Sequence, residues 1–248
     1  MKRKTIPVIL LLLLSFLLKA DEAADLIAAA DALYAQRAEA DKANQALTSY
    51  QAALKKNPFG YEALWKISKT LYFIGMHAKN DEERKKIFGD GIQWSKQAIA
   101  ANANGVEGHF WLGVHYGKYG EARGVLKSLF LIDDIKEEMN KTIALDERYD
   151  GAGAYRVLGR LYYKVPGLFG GSNRKSRENL EKARRICPSN SLTLLYLAET
   201  YWEVDEPQLA IKTLEELLAM TPDERWITET REDQITAQQL LNTYRQKM

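Results

Sequence analysis

Apolar residues recur every three to four positions along most of the chain, which is the spacing of one face of an α-helix. Four segments show this spacing most clearly, namely LWKISKTLYFIG, HFWLGVHYG, YRVLGRLYY and LLYLAETYW. Runs of β-branched residues at period two, which would indicate strands, are absent, and most glycines lie in clusters between the helical segments. The pattern predicts an all-α fold for the 248 residues.

The helical segments also match one another position by position. A large residue precedes a leucine by three positions, a small residue follows, and an aromatic residue comes three positions later, as in Tyr155, Leu158, Gly159 and Tyr162. A second helical stretch with a small or apolar residue before a turn follows each of these segments, at Ala98, Ala144, Ala183 and Leu217, and another such stretch, with Ala53, precedes the first. This is the tetratricopeptide pattern, in which helix pairs stack because one pair cannot bury its apolar face alone. It predicts a tetratricopeptide-like α-solenoid of about five helix hairpins with a C-terminal capping helix over Glu229–Lys247.

The spacing between equivalent positions is uneven, so the middle hairpins are longer than the ideal repeat. It is 45, 46, 39 and 34 residues along the chain, and only the last matches the usual 34. One extension, MHAKNDEERKKIFGD, is charged and is expected to face water. Another has an apolar side of its own, which requires a neighbouring repeat or a partner protein or subunit to cover it (Val125, Leu126, Leu129, Phe130, Ile132 and Ile135).

A specific corner is predicted within the fourth hairpin, in the stretch DGAGAYRVLGRLYYKVPGLFGGS at residues 150–172. Pro166 cannot continue the preceding helix, and Gly170 and Gly171 permit backbone angles that other residues avoid. We expect this loop to be an insertion between two helices, with Ser172 or Asn173 capping the second. We expect its apolar tip, Leu168–Phe169, to be held against a neighbouring hairpin.

The N-terminus has the composition of a secretion signal. Lys2–Lys4 is basic, and about a dozen apolar residues follow, fewer than the roughly 20 that span a bilayer. We therefore predict a signal peptide at 1–20, a helical repeat domain at 21–248 and a periplasmic location without stable membrane insertion after cleavage; retention as an uncleaved anchor is the alternative. No cysteine follows the apolar segment, so no lipid-attachment point is available.

The charge of the chain disfavours nucleic-acid binding, and its cysteine content excludes a disulfide-stabilised fold. Without residues 1–20, the chain has 31 basic and 33 acidic residues, a net charge of about −2, and no basic stripe interleaved with aromatic residues that would bind nucleic acid. The single cysteine, Cys187, cannot form an internal disulfide. A packed thiol is the first interpretation of Cys187, and intermolecular pairing is the alternative.

No arrangement of residues indicates catalysis, a metal or a cofactor. His109 and His115 are six positions apart on one predicted helix, about 240° around its axis, and cannot easily share a metal. His109 takes a packing position of the repeat, so a core histidine is expected. Hydrolase, metalloprotease and phosphate-loop motifs are missing. We predict a non-enzymatic protein with no catalytic or metal-binding residues.

Projecting the repeat register places the first helix of each pair along an inner groove. The candidate contacts there are Trp65, Lys69, Tyr72, Phe110, Val114, Arg156, Arg160, Tyr163, Leu195, Glu199 and Trp202. Aromatic rings supply contact area and arginine binds carboxylates with two hydrogen bonds, so the groove suits a peptide or an apolar ligand that carries a carboxylate. The alternative is structural: the aromatic residues fill gaps between repeats and Arg156 pairs with a neighbouring acid.

Over about residues 26–220, and most clearly from Gly108 to Ala183, the chain resembles the T-component family of TRAP transporter systems. The resemblance lies in Ala63-Leu64-Trp65, and above all in the combination of Arg156, Gly159, Pro166 and Gly170–Gly171. It implies a tetratricopeptide-like protein of the bacterial envelope that associates with the periplasmic solute-binding subunit of an importer, with oligomers as a further option. A general envelope scaffold that binds other proteins is the alternative. The family's frequent lipid-attachment cysteine is missing here.

Overall fold

The computed structural model describes the backbone from residue 8 and the side chains from residue 20, in each case to residue 248. Throughout the described residues the regular structure is helical, and strands are absent. The chain divides into two compact units, Met1–Trp111 and Leu112–Met248. The predicted all-α class is therefore what the described part of the chain adopts.

The first unit consists of two helix hairpins and the first turns of a fifth helix. Its helices are α1 (Val8–Ala35), α2 (Lys42–Lys56), α3 (Tyr61–Met76), α4 (Asp81–Ala101) and the beginning of α5 (Val106–Arg123). The core contains Tyr50, and its hydroxyl donates to Asp31 Oδ1 at 2.6 Å. The charged extension at residues 76–90 runs into the first turns of α4, where its charged residues are exposed or half-buried as expected but Phe88 is buried. Asn80 caps α4 by accepting from the backbone N–H of Glu83.

The second unit continues with the rest of α5 and six further helices. These are α6 (Ile132–Asp146), α7 (Tyr149–Lys164), α8 (Asn173–Ile186), α9 (Ser191–Glu203), α10 (Pro207–Ala219) and α11 (Ile227–Lys247). Short 3₁₀ turns lie at Val125–Leu131, Gly167–Phe169 and Glu224–Trp226. From residue 8 onward, where the backbone is described, the helices therefore form five pairs and one terminal helix in sequence order, as the repeat pattern predicts.

The small residues of the repeat lie where helices approach one another most closely. A Cβ at Gly159 of α7 would come within 2.6 Å of Leu180 Cγ of α8, and a Cβ at Gly113 would overlap the side chain of Met139. Ala198 is fully buried in α9. The small residue of the repeat pattern is therefore the one that lets two helices pack closely.

The corner between α7 and α8 is an insertion within the fourth pair. The backbone N–H of Ser172 donates to the carbonyl of Tyr162 at 2.8 Å, and the Ser172 hydroxyl accepts from the N–H of Lys175, so Ser172 caps α8. A Cβ at Gly171 would overlap the carbonyl oxygen of Val165, so only glycine fits there.

The prediction that the tip of this corner packs on a neighbouring hairpin is wrong. The side chain of Leu168 is 89% exposed and that of Phe169 is 45% exposed. The backbone hydrogen bonds at the base of the loop hold it in place without the tip. The apolar tip therefore stands in solvent in the described structure.

The apolar extension after α5 is covered only in part. Leu131 and Ile135 are buried, whereas Leu126 and Phe130 are exposed by more than half. Arg123 covers one side of the Phe130 ring, with its guanidinium carbon 5.3 Å from the ring centroid. Of the six residues that the sequence marks, Ile135 is buried, three are half-buried and two are exposed, so packing within the second unit covers this apolar side only in part.

Helix α11 closes the C-terminal end of the second unit. Ala237, Leu241 and Tyr244 are buried against α9 and α10, and Ile235 faces solvent. Near its start, Asp233 is buried and accepts a hydrogen bond of 2.6 Å from the hydroxyl of Ser191, the first residue of α9. The predicted capping helix is confirmed, two residues longer at its start than the sequence suggests.

The predicted signal peptide covers residues 1–20. Residues 1–7, and the side chains up to residue 19, lie outside the described residues, so its cleavage stays a prediction. None of the helices in the part of the chain that the structure describes is both long and apolar enough to cross a membrane.

Candidate functional site

An arginine–glutamate pair links the first helices of two successive hairpins in the second unit. Arg160 Nη1 of α7 donates to Glu199 Oε2 of α9 at 2.7 Å, and the two side chains are 18% and 19% exposed. The guanidinium carbon lies 4.2 Å from the ring centroid of Tyr196 and 5.1 Å from that of Tyr163. The charged pair is therefore flanked by two aromatic rings, in the geometry of a cation–π contact.

A second aromatic contact extends this arrangement to α11. The rings of Trp202 and Tyr244 are stacked, with centroids 3.9 Å apart and an angle of 8° between their planes. Burial raises the pKa of the Tyr244 hydroxyl, and the nearby charges of Glu199 and Glu203 raise it further, so this hydroxyl remains a hydrogen-bond donor. We call the set Arg160, Tyr163, Tyr196, Glu199, Trp202 and Tyr244 the Arg160 surface.

Charged side chains border the Arg160 surface at the C-terminal ends of its helices. Lys164, the last residue of α7, has its ammonium 5.7 Å from the Tyr163 ring centroid. Partial burial lowers the pKa of Lys164, and the neighbouring charge of Arg160 lowers it further. Glu203, the last residue of α9, is exposed.

Arg160, Tyr163, Glu199 and Trp202 were predicted from the repeat register, and the structure brings these four together. Tyr196, Glu203 and Tyr244 were not predicted. Tyr196 lies three residues before Glu199 on α9, so helical spacing alone could have revealed it. Tyr244 lies on the terminal helix, which has no counterpart in the repeat.

Arg156 lies apart from this surface, with only 6% of its area exposed. Its guanidinium donates to the carbonyl oxygens of Asp150 and Gly151, to the Asp150 carboxylate at 2.6 Å and to Asn190 Oδ1 at 3.2 Å. Asp150, Gly151 and Ala152 all have positive φ, so α7 starts with a left-handed turn. Arg156 holds that turn through its bonds to the carbonyls, which is the structural alternative considered for this residue.

Three other candidates are core residues. Phe110 in the first unit, and Val114 and Leu195 in the second, are almost fully buried. Leu195 belongs to the cluster beneath α9 and α11. The register placed these side chains on an open groove, but each packs inward in the unit to which it belongs.

The remaining candidates, Trp65, Lys69 and Tyr72, are half-buried on α3 in the first unit. The Lys69 ammonium lies 5.1 Å from the ring centroid of Tyr34, and the Tyr72 ring lies 5.5 Å from that of Trp111. Trp65 packs against the core of α1, α2 and α3. All three side chains therefore have packing contacts within the first unit.

His109 is buried, and its Nε2 lies 3.0 Å from the carbonyl oxygen of Ala103, as expected for a core histidine. Across the residues for which side chains are described, no three His, Cys, Asp or Glu side chains are grouped closely enough to hold a metal ion. Cys187 is a half-buried free thiol that contacts the Ser189 hydroxyl at 3.7 Å.

The sequence matches the model of a known family over residues 26–169, more than half of the chain. The family is described as regulator of microtubule dynamics protein 1-3. The chain belongs to this regulator of microtubule dynamics family. The match includes α2 to α7 and the 3₁₀ turn of the corner, but it stops before the helices that complete the Arg160 surface. No protein of curated function matches this family member in sequence.

Solved structures resemble this regulator of microtubule dynamics family member in fold. A thermophilic tetratricopeptide protein of Thermus thermophilus, TTC0263, has a TM-score of 0.64 at 19% identity, with 87% of this chain and 98% of that one covered. The pilF protein of Pseudomonas aeruginosa has a TM-score of 0.56 at 15% identity, covering 90% and 92% of the two chains. These likenesses confirm the predicted tetratricopeptide-like fold class. The resemblance to the TRAP T-component stays a prediction.

Proposed function

We propose that the protein is a non-enzymatic adaptor that binds a polypeptide partner on the Arg160 surface. The observation that carries the proposal is the convergence of aromatic rings and a charged pair from α7, α9 and α11. Trp, Tyr and Arg are the residues that contribute most to protein interfaces. The tetratricopeptide-like fold supports this general role.

The finer proposal is an accessory role in TRAP-type solute uptake. The basic and apolar N-terminal segment supports export to a periplasm, and the corner motif with Arg156, Gly159 and Gly170–Gly171 supports the resemblance to the T-component. In this role the partner is a periplasmic solute-binding protein, and an apolar or carboxylate-bearing ligand is an additional candidate. A general envelope scaffold is the broader alternative.

A second candidate function comes from the family match. Its members are described as regulators of microtubule dynamics, and the match spans residues 26–169. In that role the partner would be tubulin or a protein bound to it, and the N-terminal segment would direct the chain elsewhere than the periplasm. The two candidates share the adaptor role and differ in partner and compartment.

Identification of the native partner separates these candidates. The chain, tagged at its C-terminus, is cross-linked in its own cells, and the captured proteins are compared with those of the Arg160→Ala and Trp202→Ala variants. Arg174→Ala, which removes an exposed pair with Glu178 on the outer helix α8, is the matched control. We expect the partner to be lost from both surface variants and kept by the control, with helical circular dichroism unchanged in all three.

Each capture result has a defined meaning. A solute-binding protein supports the transport role, tubulin supports the microtubule role, and assembly or secretion factors alone support the general scaffold. A partner captured equally by Arg160→Ala, Trp202→Ala and the control would refute the assignment of binding to the Arg160 surface.

A further inference from the structure

The corner between α7 and α8 carries an apolar run that the described part of the chain leaves uncovered. Residues 165–171 read VPGLFGG, and none of these side chains is polar or charged. From Pro166 to Gly170 every residue is exposed, including the large side chains of Leu168 and Phe169. Single apolar residues scattered over a surface need no explanation, whereas a contiguous exposed run indicates an interaction site.

The backbone of this run is held in one conformation by its own hydrogen bonds. The N–H groups of Phe169 and Gly171 both donate to the carbonyl of Pro166, at 2.8 and 3.2 Å. The bond from the Ser172 N–H to the Tyr162 carbonyl closes the base of the corner. The tip therefore presents its apolar side chains before any partner arrives, which lowers the entropy lost on binding.

Basic side chains stand on both sides of the apolar run. Lys164 ends α7, Arg174 and Lys175 lie in the first turn of α8, and all three are exposed. Glu178 pairs with Arg174 at 2.6 Å, whereas neither lysine has an ion pair in the part of the chain whose side chains are described. The Lys175 ammonium lies 5.3 Å from the ring centroid of Tyr162, at the base of the corner.

The positive charge is a local feature of this corner. Between Asp150 and Glu178 the sequence has six basic residues and no acidic one. The four arginines among them pair with carboxylates (Arg156, Arg160, Arg174 and Arg177). The excess therefore falls on Lys164 and Lys175. Lys175 also lies where the positive end of the α8 dipole disfavours a cation, and a negatively charged surface against the corner would offset that cost.

The shape of the corner favours a lipid bilayer over a protein as this negatively charged surface. A specific protein interface buries about 800 Å² on each partner, and a protruding tip with two large apolar side chains is too small to supply that area. A bilayer instead surrounds a protruding tip, so that its apolar side chains enter the acyl region while lysine and tyrosine side chains stay among the headgroups. Lys175 and Tyr162 stand at that level.

We propose that the α7–α8 corner docks the protein on an anionic phospholipid bilayer. Leu168 and Phe169 enter the acyl region, and Lys164 and Lys175 lie against the lipid phosphates. The contact is peripheral and reversible, because two large apolar side chains and two cations attach a protein far more weakly than a spanning helix. This inference goes beyond the adaptor function, since it uses a different surface and needs no polypeptide partner.

An environment-sensitive fluorophore attached at Gly167→Cys measures insertion of the corner directly. A Cβ at Gly167 would meet no atom within 4 Å, so the label leaves Leu168 and Phe169 in place. Cys187→Ala removes the native thiol, and a label at Ile235→Cys, exposed on α11, is the matched control. The full chain is mixed with vesicles of phosphatidylcholine, or of phosphatidylcholine and phosphatidylglycerol in equal amounts.

We expect the emission of the label at Gly167→Cys to rise and shift to the blue with the anionic vesicles, to change far less with the neutral ones, and to stay constant at Ile235→Cys. The measured quantity is the ratio of inserted to free label, which remains informative if the apolar N-terminal segment holds every variant at the vesicle.

Substitutions in the labelled chain test the two components of the contact. Lys175→Gln should lower the ratio of inserted to free label about fivefold, the effect of one cation near an anionic surface. Lys212→Gln, at an exposed position on α10, should leave the ratio unchanged. Leu168→Ser should lower it by about tenfold or more. Helical circular dichroism should be the same in all of these variants, because each side chain is exposed.

Three results would overturn the inference. They are a label at Gly167→Cys that stays in water with both kinds of vesicle, equal responses to neutral and anionic vesicles, and equal responses at Gly167→Cys and Ile235→Cys. Soluble polyglutamate is the remaining probe, and a response to it that exceeds the response to anionic vesicles would assign the corner to an acidic protein instead. None of these results affects the adaptor function, which Arg160→Ala and Trp202→Ala test on a separate surface.

Discussion

Replacing Asp233 by asparagine should change how the stability of the protein depends on pH. Asp233 lies on α11, is only 9% exposed, and accepts one hydrogen bond, from Ser191, at 2.6 Å. Burial raises the pKa of its carboxyl to about 7, although the Ser191 hydrogen bond and the charge of Arg156 act in the opposite direction. The other charges that act on it, Glu232 and Glu229, favour the protonated form.

The size of the effect on the free energy of unfolding follows from the difference between the pKa of Asp233 in the folded state and its pKa in the unfolded state. The ordinary pKa of the carboxyl is 3.8, so folding raises it by roughly 3 units, and one unit corresponds to about 1.4 kcal/mol. Below pH 3.8 the carboxyl is protonated in both states, and its full contribution to the free energy of unfolding is present. Between pH 3.8 and 7 the folded state binds more protons than the unfolded state, so the free energy of unfolding falls as pH rises. The free energy of unfolding falls by about 4 kcal/mol in total, and this loss is complete above pH 7.

Urea unfolding followed by circular dichroism at pH 5 and pH 8 measures this effect. Asparagine cannot ionise, so Asp233→Asn should gain stability relative to the unmodified chain as pH rises, by about 2–3 kcal/mol between the two conditions. Asp134→Asn, at an exposed position in the first turn of α6, is the matched control for the loss of one carboxylate. A difference between Asp233→Asn and the unmodified chain that is equal at pH 5 and pH 8 would refute the reasoning.

Three further substitutions test the local structure. Arg156→Met should lower the free energy of unfolding by about 3–5 kcal/mol, since it leaves a partly buried carboxylate and the turn carbonyls unpaired; a loss under about 1 kcal/mol in urea unfolding would contradict this role. Gly171→Ala should cost about 2 kcal/mol because its Cβ overlaps backbone, and a melting temperature equal to that of the unmodified chain would disprove the overlap. Leu168→Ser should change stability by less than about 0.5 kcal/mol, because the side chain is exposed; marked destabilisation would show that the tip packs after all.

The helical repeat could be predicted because its signal is local. The close approach of two helices requires a small residue, and Gly113, Gly159 and Ala198 occur at the same position of α5, α7 and α9, the first helices of successive pairs. The spacing of the apolar residues at the helical period then shows which face of each helix is buried. The exposed tip of the α7–α8 corner could not be predicted in this way, because nothing in its sequence reports whether another hairpin lies within reach.

The candidate site was predictable only in part, as Arg156 and Arg160 illustrate. They are four residues apart on α7, so helical spacing places both on one face. The left-handed turn at Asp150–Ala152 separates their roles, because it directs two carbonyl oxygens at Arg156 and leaves Arg160 to pair with Glu199. That turn depends on backbone angles that the period of the apolar residues does not encode.

The corner between α7 and α8 is a position at which this fold can accept an insertion. Its two ends are joined by the hydrogen bond from the Ser172 N–H to the Tyr162 carbonyl. The side chain at its tip, Leu168, is exposed and does not pack on the rest of the protein. The distance between the ends is therefore set independently of the number of residues between them. Doubling the length of such a loop costs only about 0.6 kcal/mol in closure entropy. An added segment, whether engineered or inherited, could enter here and leave the helices on either side in register.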